Sequence, residues 1–417
     1  MSVCDEYFSA TARSAEPSVR PSIVVGITHS QTCLVLTGHL RALREAGFRV
    51  ILISSPGPLL DQTAEQEGVE SLAIAMTRAI SPLSDLVSLF RLWRALRRLR
   101  PDATEFSTPK AGLLGNLAAM LCRVPGRVYV LRGLRLETAS GFKRHTLRAT
   151  ERLAAACAHH VVCNSESLRA QALALGVAPA RKLQLLGNGS SHGVDVERFS
   201  PGPSTMRTVL GLPPHAPVVG FVGRLTLDKG VSELIAAFDD LLKTDPEVRL
   251  LLVGWFDESE DALDDDLRGY IDAHPSIVRT GFVADTAPYY RAMDMMVLPT
   301  WREGFPNVVL EAAATGIPVI TTLATGSRDA VLPEVTGLLI PPGYPEAITE
   351  AMRKLLGDPA RCKRMGIAAR QWVIQRFVNE RVLGLSVAMY KSLLRAPLAN
   401  NLVAMTKAGA ADAVVEG

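Results

Sequence analysis

Short apolar runs alternate with amphipathic stretches along most of this chain. SIVVGIT (residues 22 to 28), FRVILIS (48 to 54), GRVYVL (126 to 131) and HVVCNS (160 to 165) are rich in β-branched residues and too short for core helices, so each predicts a buried strand. Helical patterns separate them: one ending near Ala46 before Gly47, one over residues 82 to 100, AGLLGNLAAMLC, one from Lys143 to about Ala158, and residues 166 to 175. Strands apolar on both faces, alternating with helices, predict a doubly wound parallel sheet. Pro201, Pro203, Pro213, Pro214 and Pro217 interrupt the pattern. It then restarts with VVGFVGR (218 to 224), a helix from Val231 to about Lys243, RLLLVG, VRTGFV, Met295–Leu298, PVITT and GLLIPP, and ends in two helices. The expected layout is a flexible leader (1 to 20), a first α/β domain (21 to 200), a linker (201 to 216) and a second α/β domain (217 to 377). A helix over 378 to 396 is expected to return to the first domain, followed by a mobile tail (397 to 417).

The helix beginning after Ser81-Pro82 has Leu86, Phe90, Trp93 and Leu96 near helical spacing, which predicts a face turned to the core. Its Arg94, Arg97, Arg98 and Arg100 read as a solvated face, with membrane contact as the alternative.

At 417 residues, 48% hydrophobic and 21% charged, the chain is a globular protein and not a disordered one. Its charge is unevenly spread. Between residues 91 and 148 there are thirteen Lys/Arg against three Asp/Glu, a segment of +10 in a chain of +3, so the remainder carries −7. A basic first half points to an anionic partner: a membrane surface, a phosphorylated acceptor or a nucleic acid. Nucleic acid is disfavoured, because that half lacks interleaved aromatics and a recognition motif. The six cysteines show neither Cys-x-x-Cys nor zinc-ligand spacing with His and read as reduced thiols of a cytoplasmic protein. MSVCDEYFSATARSAEPSVRPS has no hydrophobic core and does not read as a secretory signal. No run approaches the roughly eighteen to twenty apolar residues of a spanning helix.

Several tempting motifs fail on context. Gly26 and Gly38 do not form Gly-x-Gly-x-x-Gly, which disfavours a nicotinamide dehydrogenase, and the glycines of GNGSSHG are followed by a loop and not a helix. Seven acids lie between residues 257 and 266, and they read as a solvated helix end rather than a metal site. His159 and His160 read as structural.

The chemistry gathers in residues 301 to 318, WREGFPNVVLEAAATGIP. A strand ends at Pro299 and Thr300, at the carboxyl edge where open α/β sheets bind ligands. Pro306 suits the first turn of the following helix, and Gly316 and Pro318 stop it. Free amides around Phe305, Asn307 and Val308 can hold a phosphate or a sugar hydroxyl. Glu303 precedes the helix and Glu311 lies inside it, so the two can grip separate parts of one extended polar ligand. Ordinary surface glutamates are the alternative. Arg224 and Lys229 flank the loop after the first strand of the second half and suit a diphosphate, unless an ion pair with Asp228 absorbs them. In the first half, Lys110 stands at a helix start, and Arg132 and Arg135 lie at a strand edge facing the same cleft.

GRLTLDKG, GFV (281 to 283), EGFPNVVLEAAATGIPVITT and TGLLIPPG, in that order, resemble the nucleotide-binding half of family 4 retaining glycosyltransferases of the GT-B fold. STPKAGLLGNLAAML, VYVLRGLRLET and GNGSSHGVDVERF are similar to the acceptor half of the branch that builds bacterial surface polysaccharides on a polyprenyl-diphosphate carrier. The resemblance implies two Rossmann-like domains facing a central cleft. It also implies a nucleotide sugar, UDP-linked, as co-substrate, with no cofactor and no metal. Arg224 and Lys229 would bind the donor diphosphate, Glu303 the sugar hydroxyls and Glu311 the ribose. Gly304, Phe305, Pro306, Asn307 and Val308 would steady the leaving group, and the base would lie near Phe282 and Val283. Many members place a His where this chain has Arg132-Gly133. That departure leaves only His29 or His192 as substitutes, and Lys110 and Arg132 are expected to meet a lipid-linked glycan acceptor at an anionic membrane surface. A nucleotide-sugar epimerase of this fold and a non-catalytic nucleotide-sugar-binding module are the alternatives. A phosphorylase would need a longer chain.

Overall fold

The computed structural model describes residues 20–77 and 81–409, so nearly all of the expected leader lies outside it. The first half forms one parallel sheet of β1 (Ser22–Gly26), β2 (Arg49–Ser54), β3 (Glu70–Ala73), β4 (Ala103–Ser107), β5 (Gly126–Leu131), β6 (His160–Cys163) and β7 (Leu183–Leu185). Their order is β3-β2-β1-β4-β5-β6-β7. The second half forms a parallel sheet of β8 (Val218–Val222), β9 (Arg249–Val253), β10 (Ile277–Arg279), β11 (Met295–Leu298), β12 (Val319–Thr322) and β13 (Gly337–Ile340), in the order β10-β9-β8-β11-β12-β13. β1 and β8 are buried at every position because helices cover both faces, which is why these strands are uniformly apolar. In each sheet the strand order reverses beside the first strand, between β1 and β4 and between β8 and β11. A crevice opens there at the carboxyl edge.

The two halves are joined by more than the proline-rich segment. Val194 N–H donates to the Phe377 carbonyl at 2.8 Å, and Asn379 N–H donates to the Val194 carbonyl at 3.1 Å. The chain then enters a helix, Asn379–Gly409, that packs on the first half. Its Tyr390 is fully buried among Ile23, Val25, Ala103 and Val128. Burial of a side chain of this size contributes about 2 to 3 kcal/mol. The helix does not stop near Ala396, as the small residues there suggested; it continues to Gly409, and the rest of the expected tail is outside the described residues.

The helix Pro82–Leu99 turns a different face to the core than its apolar spacing predicted. Ser88, Leu92 and Leu96 are buried, whereas Leu83, Leu86, Val87 and Phe90 are 81, 63, 49 and 57% exposed. The line Ser88, Leu92, Leu96 is also at helical spacing, and Ser88 is tolerated inside because its hydroxyl donates to the Ala75 and Ser84 carbonyls.

One buried group makes stability depend on pH. Glu151, on the helix Gly141–Cys157, accepts a 2.6 Å hydrogen bond from the Tyr129 phenol on β5, and burial pushes its carboxyl from 4.5 up to about 7. The unfolded chain loses this proton near 4.5 and the folded chain keeps it to about 7, so stability falls as pH rises through that window. Glu151→Gln removes this contribution. By urea denaturation the variant should be within about 1 kcal/mol of wild type at pH 5, and more stable by about 3 kcal/mol at pH 8.

Candidate active site

Two loops meet at the reversal point of the second sheet. The loop after β8 carries Arg224 and then a single 3-10 turn, Leu227–Lys229, closed by Gly230 at φ +73°. A side chain at Gly230 would put its Cβ 2.1 Å from the Pro299 carbonyl oxygen, so only glycine lets this turn lie against the end of β11. The loop after β11 is then stitched to it: Trp301 N–H and the Thr300 hydroxyl both donate to the Asp228 carbonyl, at 3.0 and 3.1 Å.

That packing brings the predicted charges together. Lys229 Nζ lies 2.5 Å from Glu303 Oε1, with only 16 and 15% of the two side chains exposed. Arg224 Nη1 lies 2.5 Å from Asp257 Oδ2. The competing carboxylate, Asp228, pairs instead with Arg302 at 3.0 Å. The acidic run therefore divides: Asp264, Asp265 and Asp266 are the solvated helix end it was read as, exposed at the start of the helix Asp265–Ala273, whereas three acids before them are drawn to the site. Asp257 follows β9 at the same carboxyl edge and is buried, Asp261 meets Arg302 at 3.2 Å, and Glu260 reaches across to Arg135 at 2.9 Å and Lys143 at 2.8 Å in the first half. The signal for this was present in WFDE, which comes directly after an apolar strand.

The helix Asn307–Ala314 points its start at the same place. Pro306 is its N-cap residue, one position before the predicted place, and makes no side-chain cap. Phe305 is 6% exposed and packs on Phe377 with ring centres 5.3 Å apart, so its side chain is structural. Val308 packs against the core, and its carbonyl accepts from the Tyr290 phenol at 3.2 Å. The same phenol donates to Glu311 Oε2 at 2.8 Å, and burial raises the Glu311 carboxyl above its ordinary value. Phe282 is 55% exposed and meets Trp255 edge to face at 5.4 Å, with Val283 partly buried beside the core.

From the first half, the loop through Gly187, Gly189 and Gly193 wraps the start of this helix. Ser190, in left-handed backbone at φ +77°, donates from Oγ to Asn307 Oδ1 at 3.0 Å and accepts from Gly193 N–H at 3.0 Å. Asn307 Nδ2 lies 2.8 Å from His192 Nε2. Burial first, and then the charges of Arg132 and His39, hold the His192 imidazole down to about 4, so it is neutral at pH 7 and accepts the amide proton. The Asn307 side chain thus clamps the two halves together, a role its place in the motif did not disclose.

Arg132 and Lys110 differ in their surroundings. Lys110 Nζ pairs with Asp85 at 2.6 Å and also meets Thr77, so the helix-start cation is matched within the first half. Arg132 closes β5 next to the Glu303 loop: a Cβ on Gly304 would stand 2.2 Å from the Arg132 carbonyl oxygen. Its electrostatic partners are Glu105 and Tyr390. Glu105, inside β4, is fully buried; burial would raise its carboxyl, but His39, Tyr390 and Arg132 bring it down to about 2. His39 at 2.9 Å and the Tyr390 hydroxyl at 2.7 Å both bond Glu105 Oε2. A glutamate in the otherwise apolar strand ATEFS was the sequence signal for this group.

Known proteins align with both halves. Residues 216–358 match the family described as glycosyl transferases group 1, and residues 35–189 match the glycosyl transferase 4-like domain. The chain is 34% identical over 370 residues to the capsular polysaccharide biosynthesis glycosyltransferase CapM of Staphylococcus aureus, covering 88% of this chain and 96% of that protein. It is 27% identical to the UDP-Gal:alpha-D-GlcNAc-diphosphoundecaprenol alpha-1,3-galactosyltransferase of Escherichia coli, covering 80% and 88%. The crystal structure of Anabaena HepE in complex with UDP-glucose superposes with a TM-score of 0.73 at 21% identity, covering 89% of this chain and 99% of that one.

The cluster around His192 has a direct spectroscopic check. In Arg132→Gln the imidazole loses one of the two charges that depress it, so its pKa should rise from about 4 while staying below 6.5, because burial is the larger cause. Titration of 13C-labelled histidine by NMR reads this, and an unmoved His192 would separate the two groups.

Proposed function

The chain belongs to the group 1 glycosyl transferases of family 4, with the GT-B fold, and on that footing we propose that it moves a hexose or N-acetylhexosamine, with retention, from a UDP-linked sugar to a lipid-linked glycan in surface polysaccharide assembly. The observation that carries the donor half of this reading is the contact of Lys229 with Glu303 at the reversal point of the second sheet, with Arg224 on the adjoining loop. Cations on one loop and a carboxylate on the next suit a ligand that is anionic at one end and hydroxylated at the other. Glu303 keeps Lys229 in place through Oε1 and offers Oε2 to sugar hydroxyls, Glu311 holds the ribose, and Phe282 and Val283 line the base. The relatives named above support a polysaccharide setting and, in one case, a diphosphoundecaprenol acceptor.

In the proposed reaction the bond from the anomeric carbon to the diphosphate breaks as the acceptor oxygen bonds to the same face of that carbon. The acceptor proton passes to the departing phosphate oxygen. The charge growing on the diphosphate is met by Lys229, Arg224 and the amides at the start of the helix Asn307–Ala314, which is fixed-charge stabilisation that calls for no metal ion.

The proposed membrane contact rests on the helix Pro82–Leu99. Leu83, Leu86, Val87 and Phe90 make an exposed apolar stripe at i, i+3, i+4 and i+7, and Arg91, Arg94 and Arg98 are exposed beside it. Among the described residues no helix is long and apolar enough to cross a membrane, so the contact is peripheral. We place it on the cytoplasmic face, where the lipid-linked acceptor is presented.

Lys229→Ala should lower turnover at saturating donor by about a hundredfold or more, the scale on which one charge-stabilising donor is lost. Near-normal turnover would remove its role. Glu311→Ala should chiefly weaken the apparent affinity for the nucleotide sugar, measured by calorimetry with a panel of donors. Release of free nucleotide only when acceptor is present separates transfer from epimerisation. In liposome flotation the wild type should prefer anionic over neutral vesicles and Phe90→Asp should float less; equal flotation with both lipids would remove the membrane contact.

A further inference from the structure

Arg132 is placed as though a bond were still to be made. Among the described residues, its Nε and Nη1 are sealed from solvent and have no hydrogen-bond acceptor. Between them these atoms carry three N–H groups, one on Nε and two on Nη1. Buried charged donors without acceptors are costly, and proteins seldom retain them without a use. The neighbouring Glu105 balances the charge, but neither Nε nor Nη1 makes a hydrogen bond to it; its Oε2 accepts from His39 and from Tyr390. His192 does not relieve it either: that imidazole is engaged by the Asn307 amide and by the Val35 backbone. Part of the residue remains accessible. Its backbone lies at the seam: the Arg132 carbonyl is against Gly304, and Gly133, at φ +134°, would bring a Cβ to 3.4 Å from Gly304 N and 3.6 Å from the Glu303 carbonyl carbon.

We propose that Arg132 receives an oxyanion of the acceptor, a phosphate or carboxylate oxygen, across the seam from Glu303, with Glu105 and Tyr390 as the residues that position its guanidinium. The inference rests on the transferase reading and narrows it: the acceptor is an anionic glycan, and its charge is read by the first half, separately from the donor diphosphate read by the second. Lys110 does not share this task, because Asp85 already matches it. A guanidinium suits the role better than an ammonium because its donors are held in a fixed plane. The negative charge of Glu105, buried in β4, faces it from the first half.

The test uses the full chain saturated with UDP, so that the second-half site is filled. Calorimetric titrations with inorganic pyrophosphate and with glucuronate then present the two oxyanion chemistries. Wild type should bind at least one of them at one site per chain. Arg132→Gln should weaken that binding tenfold or more while UDP affinity stays as in wild type, which also shows that the variant folds. Arg132→Lys should keep part of the affinity, and Glu105→Gln should weaken the oxyanion and leave UDP unaffected. Binding of pyrophosphate alone identifies a phosphate-bearing acceptor, and binding of glucuronate alone a uronate. Failure of wild type to bind either, or equal binding by Arg132→Gln, overturns the proposal. Absence of UDP binding in wild type would instead overturn the donor reading.

Discussion

A carbonyl oxygen facing a residue with no side chain sets how near the two halves come. The Arg132 carbonyl sits where a Cβ on Gly304 would be 2.2 Å away, and Gly326 would meet the Glu303 and Gly304 carbonyls at 2.6 Å if it carried one. A larger residue at Gly304 pushes the Glu303 loop off the end of β5, and one at Gly326 displaces the same loop from its neighbours in the second half. With that loop displaced, the carboxylate that holds Lys229 moves, and the start of the helix Asn307–Ala314 no longer meets Ser190 and His192. The geometry of the charged groups is therefore set by backbone contact between two strand ends, and the charges follow.

The charges themselves are arranged more for placement than for stability. Lys229 and Glu303 are mostly removed from water, and the cost of desolvating such a pair is comparable to what the two regain by attraction. Arg135 and Lys143 meet Glu260 at well-exposed positions, where solvent screening leaves little net energy. Hydrogen bonds that cross the seam, such as Thr325 to Glu137 at 2.6 Å and Gly326 N–H to Ser167 at 2.7 Å, give register at modest energy.

The alternation of strands and helices and the placing of Arg224, Lys229 and Glu303 at strand ends were legible because they depend on local pattern: an apolar run, a turn with glycine, and a charge directly after it. Met295–Leu298 was readable to the residue for this reason. What remained hidden depends on distant pairing. Asp257 looked like one of seven solvated acids until β9 placed it under Arg224, and Leu86 and Phe90 looked like core because periodicity defines a face without saying which way it turns. The partners of Arg132 come from β4 and from the last helix, up to 285 residues apart, and no spacing rule joins them. Asn307 was marked for its backbone, and its side chain proved to be the part that links the halves.

Tyr390 shows how far that dependence reaches. Its ring fills the first core beside Ile23, Val25 and Val128, and its hydroxyl bonds the carboxylate beneath Arg132. The same helix starts at Asn379, directly after the Val194 and Phe377 crossing that ties the halves together. A relative rotation of the halves therefore has to strain either the crossing or the packing of the helix, and strain in the helix is transmitted through one hydroxyl to Glu105. In this way the last helix, remote in sequence from Lys229 and Glu303, fixes the charge at the seam in register with the Glu303 loop.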